Sequence, residues 1–368
     1  VPIELKNVRI LDLSRVLAGP LCSMMLGDLG ADVIKVERPG QGDESRGWGP
    51  PFDEDGESAY YLSCNRNKLS IALDLGKSAD RDVLAELMAE ADVVLENFRP
   101  GALASRGIDP RTWLEQIPKL IWCTVSGFGP GSDRPGYDFV VQAESGWMSI
   151  TGEPDGDPMK AGVALADVIA GKDAAIAILG ALLSRDRSPT PLPVESRQLH
   201  VSLRGSAMAS LINVAQNTLV GGRDPQRWGN AHANLVPYQL FNARDGQLVI
   251  AVGNDMQWKA ACAALGLESL GSDPSLDSNA GRLAQRDRVV SSITNRLTTA
   301  DTIHWLGALD RAGVPCGVVR SVREALAGYP ASAITGVAPS VPGTVRLRPP
   351  KLDEHGDAIR QKGWSAFG

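Results

Sequence analysis

The sequence predicts an α/β protein with a parallel sheet covered by helices on both faces. Two observations carry this. Short apolar stretches alternate with helix-length segments through the first third of the chain, and that alternation builds a parallel sheet. Glycine and proline, 39 and 24 residues, punctuate these segments without a fixed period, which marks tight turns and not a fibrous or low-complexity chain.

Taken in order, residues 8–13 read as the first strand. Gly19-Pro20 breaks the chain, and 21–29 form a helix ended by Gly30, since glycine takes the left-handed position after a helix at little cost. Residues 31–37 are the second strand and 70–73 are extended. Residues 78–91 are a helix with Val83, Leu84, Leu87 and Met88 on one face. Residues 92–96 and 120–126 are two further strands. The stretch 127–160 reads as loops around one short helix near 139–147, and 164–183 as a tight core helix of small residues. A polar, proline-rich loop covers 184–198, and 199–203 is a strand. A second region starts near 220, with a strand over 247–253, a helix over 256–265, helical structure over 280–312 broken near 297–299, and a strand over 314–319. The tail 338–355 is extended.

The 368 residues suggest two domains at roughly 150 residues each. A formal charge of -6 argues against a nucleic-acid partner. It leaves room for an anionic ligand, because a local basic cluster can oppose the global charge. Five cysteines without a CxxC read as free thiols in a reducing compartment, with no disulfide framework or zinc site. No signal peptide and no run of about 18 apolar residues is visible. A cytoplasmic protein away from membranes is therefore expected.

Nucleotide, hydrolase and zinc-protease motifs are missing, and no GxGxxG links strand to helix, which disfavours a dehydrogenase. Carboxylates are the better candidates. Asp167 stands between the apolar runs AGVALA and VIAG. It is either the N-cap of the following helix or a reacting group at its start, and a carboxylate there is stabilised by the helix dipole. Such a group can attack an activated acyl carbon. Asp138, in GYD, reads as a second polar member or a turn residue. Arg38, Arg46, Arg66, Lys68, Arg99 and Arg106 follow strands. Loops there converge on one rim, so these residues either hold phosphates or are scattered solubilising charge.

LDLSRVLAGPLCSMMLGDLGADVIKVERPGQGD, the block Asn65-Arg66-Asn67-Lys68-Leu69-Ser70, the block 91–101 (ADVVLENFRPG), Ser126-Gly127-Phe128-Gly129, Pro135-Gly136-Tyr137-Asp138 and Glu354-His355 occur in that order. With these blocks the chain resembles the class III CoA-transferases, the family of formyl-CoA and carnitine CoA-transferases that also holds the 2-methylacyl-CoA racemases. The resemblance implies a doubly wound, Rossmann-like large domain with a smaller inserted α+β domain, and two chains interlocked as a homodimer. The expected division is 1–205 for the large domain, 206–325 for the smaller one and 326–368 for a segment returning to the first.

It also implies a reaction. Asp167 matches the catalytic aspartate, which moves CoA from an acyl-CoA donor to a small carboxylic acid through aspartyl anhydride and aspartyl-CoA thioester intermediates. Coenzyme A and acyl-CoA are substrates; no metal or tightly bound cofactor is implied. Arg38, Lys68, Leu69, Asn97, Phe98, Arg99, Arg106, Val16 and Ala18 are the implied CoA contacts. Arg15, Leu17, Tyr137 and Asp138 are implied on the substrate side, and Arg15 meets either a substrate carboxylate or a nearby acid. Tyr137 stands where the family's racemases carry a histidine, and a tyrosine titrating near 10 is a poor base, so transfer is favoured over racemisation. The alternatives kept open are a racemase and a CoA-binding paralogue that has lost activity. The segment 188–204, with His200 and Arg204 where relatives carry aspartates, departs from the family pattern.

Overall fold

The computed structural model describes residues 5–367. Contacts divide the chain into two units. One holds the chain up to Met148, Lys160–Arg223 and the chain from Tyr329 on; the other holds Ser149–Met159 and Asp224–Gly328. Residues 206–223, which the sequence assigns to the smaller domain, group with the larger unit, and Ser149–Met159 group with the smaller one.

The larger unit is built on six parallel strands: β1 (Arg9–Asp12), β2 (Asp32–Glu37), β3 (Leu69–Ala72), β4 (Val93–Glu96), β5 (Ile121–Ser126) and β6 (Gln198–Ser202). Their order is β3-β2-β1-β4-β5-β6, the doubly wound arrangement, which reverses direction between β1 and β4. Both faces are covered. Ile10, Val33, Val93, Ile121 and Cys123 pack with α1 (Ala18–Asp28) and α5 (Leu165–Arg187). Leu11, Ile34, Ile71, Val94 and Trp122 pack against α2 (Ser78–Glu90), α3 (Pro110–Gln116) and the returning tail residues Ile359 and Trp364. Covering on both sides is why these strands read as unbroken apolar runs.

Several elements differ from the sequence reading. Gly19-Pro20 does not break the chain: α1 begins at Ala18. A proline in a first helical turn costs no hydrogen bond, because that N–H has no intrahelical acceptor. Gly30 follows the helix with φ 106, as expected. The helix α5 runs four residues past 183, through Ser184-Arg185-Asp186-Arg187; Arg185 ties its end to Asp92 at 2.8 Å. Residues read as loop at 194–197 form a helical turn whose buried Arg197 donates to the carbonyls of Leu114, Ile117, Leu120 and Leu192. Two helices unseen in the sequence, α6 (Leu203–Ala209) and α7 (Ile212–Gly221), follow β6. The short helix near 139–147 is α4 (Asp138–Glu144), followed by a single turn over Trp147–Ile150.

The smaller unit carries an antiparallel sheet of β7 (Tyr238–Asn242), β8 (Gln247–Ala251) and β9 (Cys316–Val318) in that order. Its core joins Phe241, Leu248 and Ile250 to helix residues Trp258, Val289, Ile293 and Trp305.

The block Asn65-Arg66-Asn67-Lys68 is where the returning tail is fastened. Arg66 forks onto Asp28 at 2.9 and 2.7 Å and donates to the carbonyls of Thr335 and Val337. Asn67 has φ 61, a conformation asparagine tolerates better than most residues. Its Nδ2 donates to Asp28 and Thr344, and its Oδ1 accepts from the N–H groups of Arg346 and Leu347. Asn67→Ala removes all four bonds and places a Cβ-bearing residue without that tolerance at a left-handed position. We expect it to lower the unfolding free energy by roughly 3 kcal/mol, read as a lower urea midpoint at unchanged slope; an unmoved midpoint refutes this account of the tail.

Candidate active site

Two clefts open at the carboxyl ends of the parallel strands. The first, about 410 Å³, is lined by residues following β1, β2, β3 and β4, among them Arg38, Leu75, Gly76, Arg99 and Arg106. The second, about 360 Å³, is lined by Val16, Leu17 and Ala18 after β1, by Asn97 after β4, by Ser126 and Gly127 at the end of β5, and by Tyr137 and Asp167. Arg15, Phe98 and Arg99 line both, so the two are neighbours at the sheet's switch point, the usual place for a ligand in such a fold. Asn97 fastens that point: its Oδ1 accepts from Arg15 N at 3.0 Å and its Nδ2 donates to Arg15 O at 2.7 Å.

Asp167 is the third residue of α5 and not its N-cap; Ala164 occupies that position without a side-chain bond. The cap is supplied from elsewhere in the chain. Asp138 Oδ1 accepts from Ala166 N at 2.8 Å, and its Oδ2 accepts from Gln142 Nε2 at 2.7 Å. Gln142 Oε1 in turn accepts from Ala161 N at 2.9 Å. Asp138 thus holds the helix start and keeps a negative charge near Asp167. Asp167 itself is 8% exposed, and among the described residues no donor reaches its carboxylate. Burial, reinforced by the charge of Asp138, lifts its pKa to about 7. Helix packing sets its position from the other side. A Cβ on Gly171, one turn along, would lie 2.6 Å from the carbonyl oxygen of Ala18, so glycine lets α5 approach the turn that lines the cleft.

Of the residues singled out in the sequence, Arg15, Val16, Leu17, Ala18, Arg38, Asn97, Phe98, Arg99, Arg106, Tyr137 and Asp167 line the two clefts. Three do not. Lys68 is fully buried, with its ammonium donating to Asp12, Pro20 O and Asn65 at 2.9–3.0 Å; its three protons are spent, and it holds the fold and not a phosphate. Leu69 is a buried residue of β3. Asp138 is the cap just described. Of the further loop cations, Arg46 is forked onto Glu37 and paired with Glu57, and Arg66 is committed to Asp28.

Residues that the sequence did not flag also belong here. Glu44 lines the second cleft and pairs with Arg15. Tyr60 is half-buried beside Trp48, with ring centroids 5.1 Å apart. Burial, and then the charge of Asp167, raise its phenol pKa, which places it within electrostatic reach of that carboxylate. Gln142 is buried and links Asp138 to the backbone of Ala161. Short-range patterns carry no sign of any of them.

The family described as CoA-transferase family III matches residues 5–355. The chain belongs to this family. It is 43% identical over 323 residues to the succinyl-CoA:glutarate CoA-transferase of Mus musculus, covering 87% of this chain and 73% of that one. It is 42% identical to the succinate--glutarate CoA-transferase of Agrobacterium fabrum, covering 88% and 82%. Among solved structures, a CAIB/BAIF family protein from Brucella suis superposes with a TM-score of 0.84 at 37% identity, over 98% of this chain and all of that one. Rv3272 from Mycobacterium tuberculosis gives 0.83 at 26% identity, covering 97% and 99%. The protein is accordingly a CoA-transferase enzyme.

The Gly171 contact gives a test of the geometry. Gly171→Ala forces a 2.6 Å approach to a backbone oxygen and pushes the start of α5 outward. A misplacement near 1 Å within an active site costs on the order of 100-fold in rate. We expect kcat to fall by about that factor with the far-ultraviolet spectrum unchanged; wild-type kcat refutes it.

Proposed function

We propose that the enzyme moves CoA between an acyl-CoA and a short dicarboxylic acid through covalent intermediates on Asp167. The observation that carries this is a buried carboxylate with no hydrogen-bond donor among the described residues, set at a helix start in a cleft next to a basic one. Arg38, Arg99 and Arg106 supply positive charge for the diphosphate and 3′-phosphate of CoA, with Asn97, Phe98, Val16 and Ala18 along the path to Asp167. The names of the two relatives above support a dicarboxylic acid, and Arg15 with Leu17 and Tyr137 lines the side of the cleft where it would sit.

In the first step an Asp167 oxygen bonds to the thioester carbon and the C–S bond breaks, giving a mixed anhydride and CoA thiolate. The thiolate then attacks the aspartyl carbon and releases the donor acid, leaving an aspartyl-CoA thioester. The acceptor carboxylate attacks that carbon and expels the thiolate, which finally takes the new acyl group and frees Asp167. The first N–H groups of α1 have no intrahelical acceptor, and beside Ala18 they would stabilise each oxyanion. A carboxylate without donors is a better nucleophile than a solvated one, and desolvation is what raises its pKa.

Incubation with succinyl-CoA should therefore give a mass adduct on the intact protein that is absent in Asp167→Ala; no adduct across a panel of acyl-CoA thioesters refutes the proposal. Attack needs the ionised carboxylate, so adduct formation should climb as pH rises through about 7. Asp138→Asn should move the midpoint down. Stability runs the other way. The folded-state pKa lies above the ordinary 3.8, so the folded state keeps a proton the unfolded chain has lost, and stability falls as pH rises from about 4 to 7. At about pH 8 Asp167→Asn should melt higher than wild type, by up to a few kcal/mol at about 1.4 kcal/mol per pKa unit, and at about pH 4 it should not.

We also propose a homodimer. Ile212, Leu219 and Val220 are 71%, 78% and 79% exposed on α7, a helix that buries none of its residues, and such a surface suits a second copy. Light scattering should give twice the chain mass, and Leu219→Glu with Val220→Glu should reduce it; a wild-type monomer refutes the dimer.

A further inference from the structure

Arg15 is the residue at which the two clefts meet, and its surroundings are unusual for a surface arginine. Its backbone is clasped by Asn97 on both the N–H and the carbonyl. Its guanidinium carbon lies 5.3 Å from the centre of the Phe98 ring, a contact that holds a planar cation without using its donors. Its Nε is buried with no hydrogen-bond partner. One end is paired with Glu44, whose side chain is 41% exposed against 42% for Arg15. The guanidinium is thus fixed from behind and held at its tip by a carboxylate that lies half in solvent.

Three guanidinium groups line the cleft that holds Asp167: Arg15, Arg99 and Arg134. Arg134 is forked onto Glu144 at 2.5 and 3.1 Å and stacked on Phe128 at 4.2 Å. Arg99 is exposed on the outer loop. Arg15 alone combines a rigid base, an unspent donor and a loosely held partner. A carboxylate satisfies the guanidinium fork as well as Glu44 does, and exposed pairs of this kind are worth little to the fold.

We propose that Arg15 and Glu44 form a carboxylate-exchange latch, in which the far carboxylate of a dicarboxylic acid or its CoA thioester displaces Glu44 from Arg15 and is thereby selected over a monocarboxylic acid. The proposal rests on CoA transfer through Asp167 and deepens it. Glu44 turns to solvent when displaced, while Asn97 and Phe98 keep Arg15 in place. Glu44 is then an internal competitor: it spares Arg15 from standing unpaired in the empty site, and it weakens every dicarboxylate by the strength of the pair. A monocarboxylic acid has nothing to exchange with it.

The test compares succinyl-CoA with butyryl-CoA, which match in chain length and differ in the far carboxylate. The rate of adduct formation on the intact enzyme is measured against thioester concentration. Arg15→Met should lower the efficiency with succinyl-CoA on the order of 10- to 100-fold, the worth of a charged hydrogen-bonded pair, and leave butyryl-CoA within about 3-fold. Glu44→Gln should improve the half-saturating concentration of succinyl-CoA about 2- to 5-fold at unchanged maximal rate. That gain should vanish when Arg15→Met is also present. Arg134→Met should not discriminate between the two thioesters. An equal loss for both thioesters in Arg15→Met would assign Arg15 to the CoA moiety and overturn the latch, as would a Glu44→Gln gain that survives the loss of Arg15. If wild type forms adducts but neither variant changes the preference, the latch fails and transfer stands. If wild type forms no adduct with any thioester, both fall.

Discussion

A buried lattice of charge, drawn from the carboxyl end of β1, from β2 and the loop after it, and from the residue entering β3, holds the turn on which both clefts depend. Lys35 donates to Ser14 O and to Asp43 at 2.9 and 3.0 Å, and Lys68 donates to Asp12 and Pro20 O at 3.0 and 2.9 Å. Asp43 accepts from the N–H of Val16 through both oxygens, at 3.1 and 3.2 Å. The carbonyls of Ser14 and Pro20 and the N–H of Val16 are thus all bonded to buried side chains. Val16 has φ 71, a costly conformation for a β-branched residue, on the order of 1–3 kcal/mol. Asp43 offsets that cost. Removing either member of a buried pair leaves the other unpaired at a cost of about 3–5 kcal/mol, so the turn that carries Arg15, Val16 and Leu17 is as firmly specified as the sheet beneath it.

The strands and the exceptional setting of Asp167 were legible in the sequence for simple physical reasons. Strands buried on both faces read as apolar runs, and Asp167 stood out as a charge between two such runs. The loop cations were not legible. Arg46, Arg66 and Lys68 look the same in sequence whether they meet solvent or an acid distant along the chain, such as the 38 residues separating Arg66 from Asp28. Pro20 reads as a breaker because sequence does not show that it lies in a first turn. Helix α7 escaped because Ile212, Leu219 and Val220 face outward, leaving no buried stripe to mark a period. Glu44 follows a glycine-rich turn, and only the fold brings it to Arg15.

Asp12 and Asp167 show how one fold uses burial in two opposite ways. Both are carboxylates withdrawn from water, and burial by itself raises the pKa of each. At Asp12, Lys68, Lys35 and the hydroxyls of Ser14 and Ser23 overcome that and bring it down to about 2. Its folded-state pKa is below the ordinary 3.8, so its contribution to stability is complete above about pH 4 and is lost as pH falls toward 2. At Asp167 no cation or donor among the described residues intervenes, and Asp138 adds to the penalty. Its contribution fades on the other side, as pH rises toward 7. The paired carboxylate makes the turn; the unpaired one is the group to which the proposed function assigns the reaction.

An unpaired buried carboxylate would escape to water if its helix could shift. Three features of this chain prevent that. Asp138 ties the first turn of α5 through Ala166, Gly171 locks the next turn against Ala18, and Ala174, Ile178 and Leu182 anchor the rest in the core. The same Asp138 that raises the cost of ionising Asp167 also supplies the cap that keeps it in place. A neutral cap in its position would relieve the repulsion and weaken the hold, since an anionic acceptor binds a backbone N–H more strongly than a neutral one. Asp138 therefore bears on both the ionisation and the position of Asp167, and a change at Asp138 alters the two together.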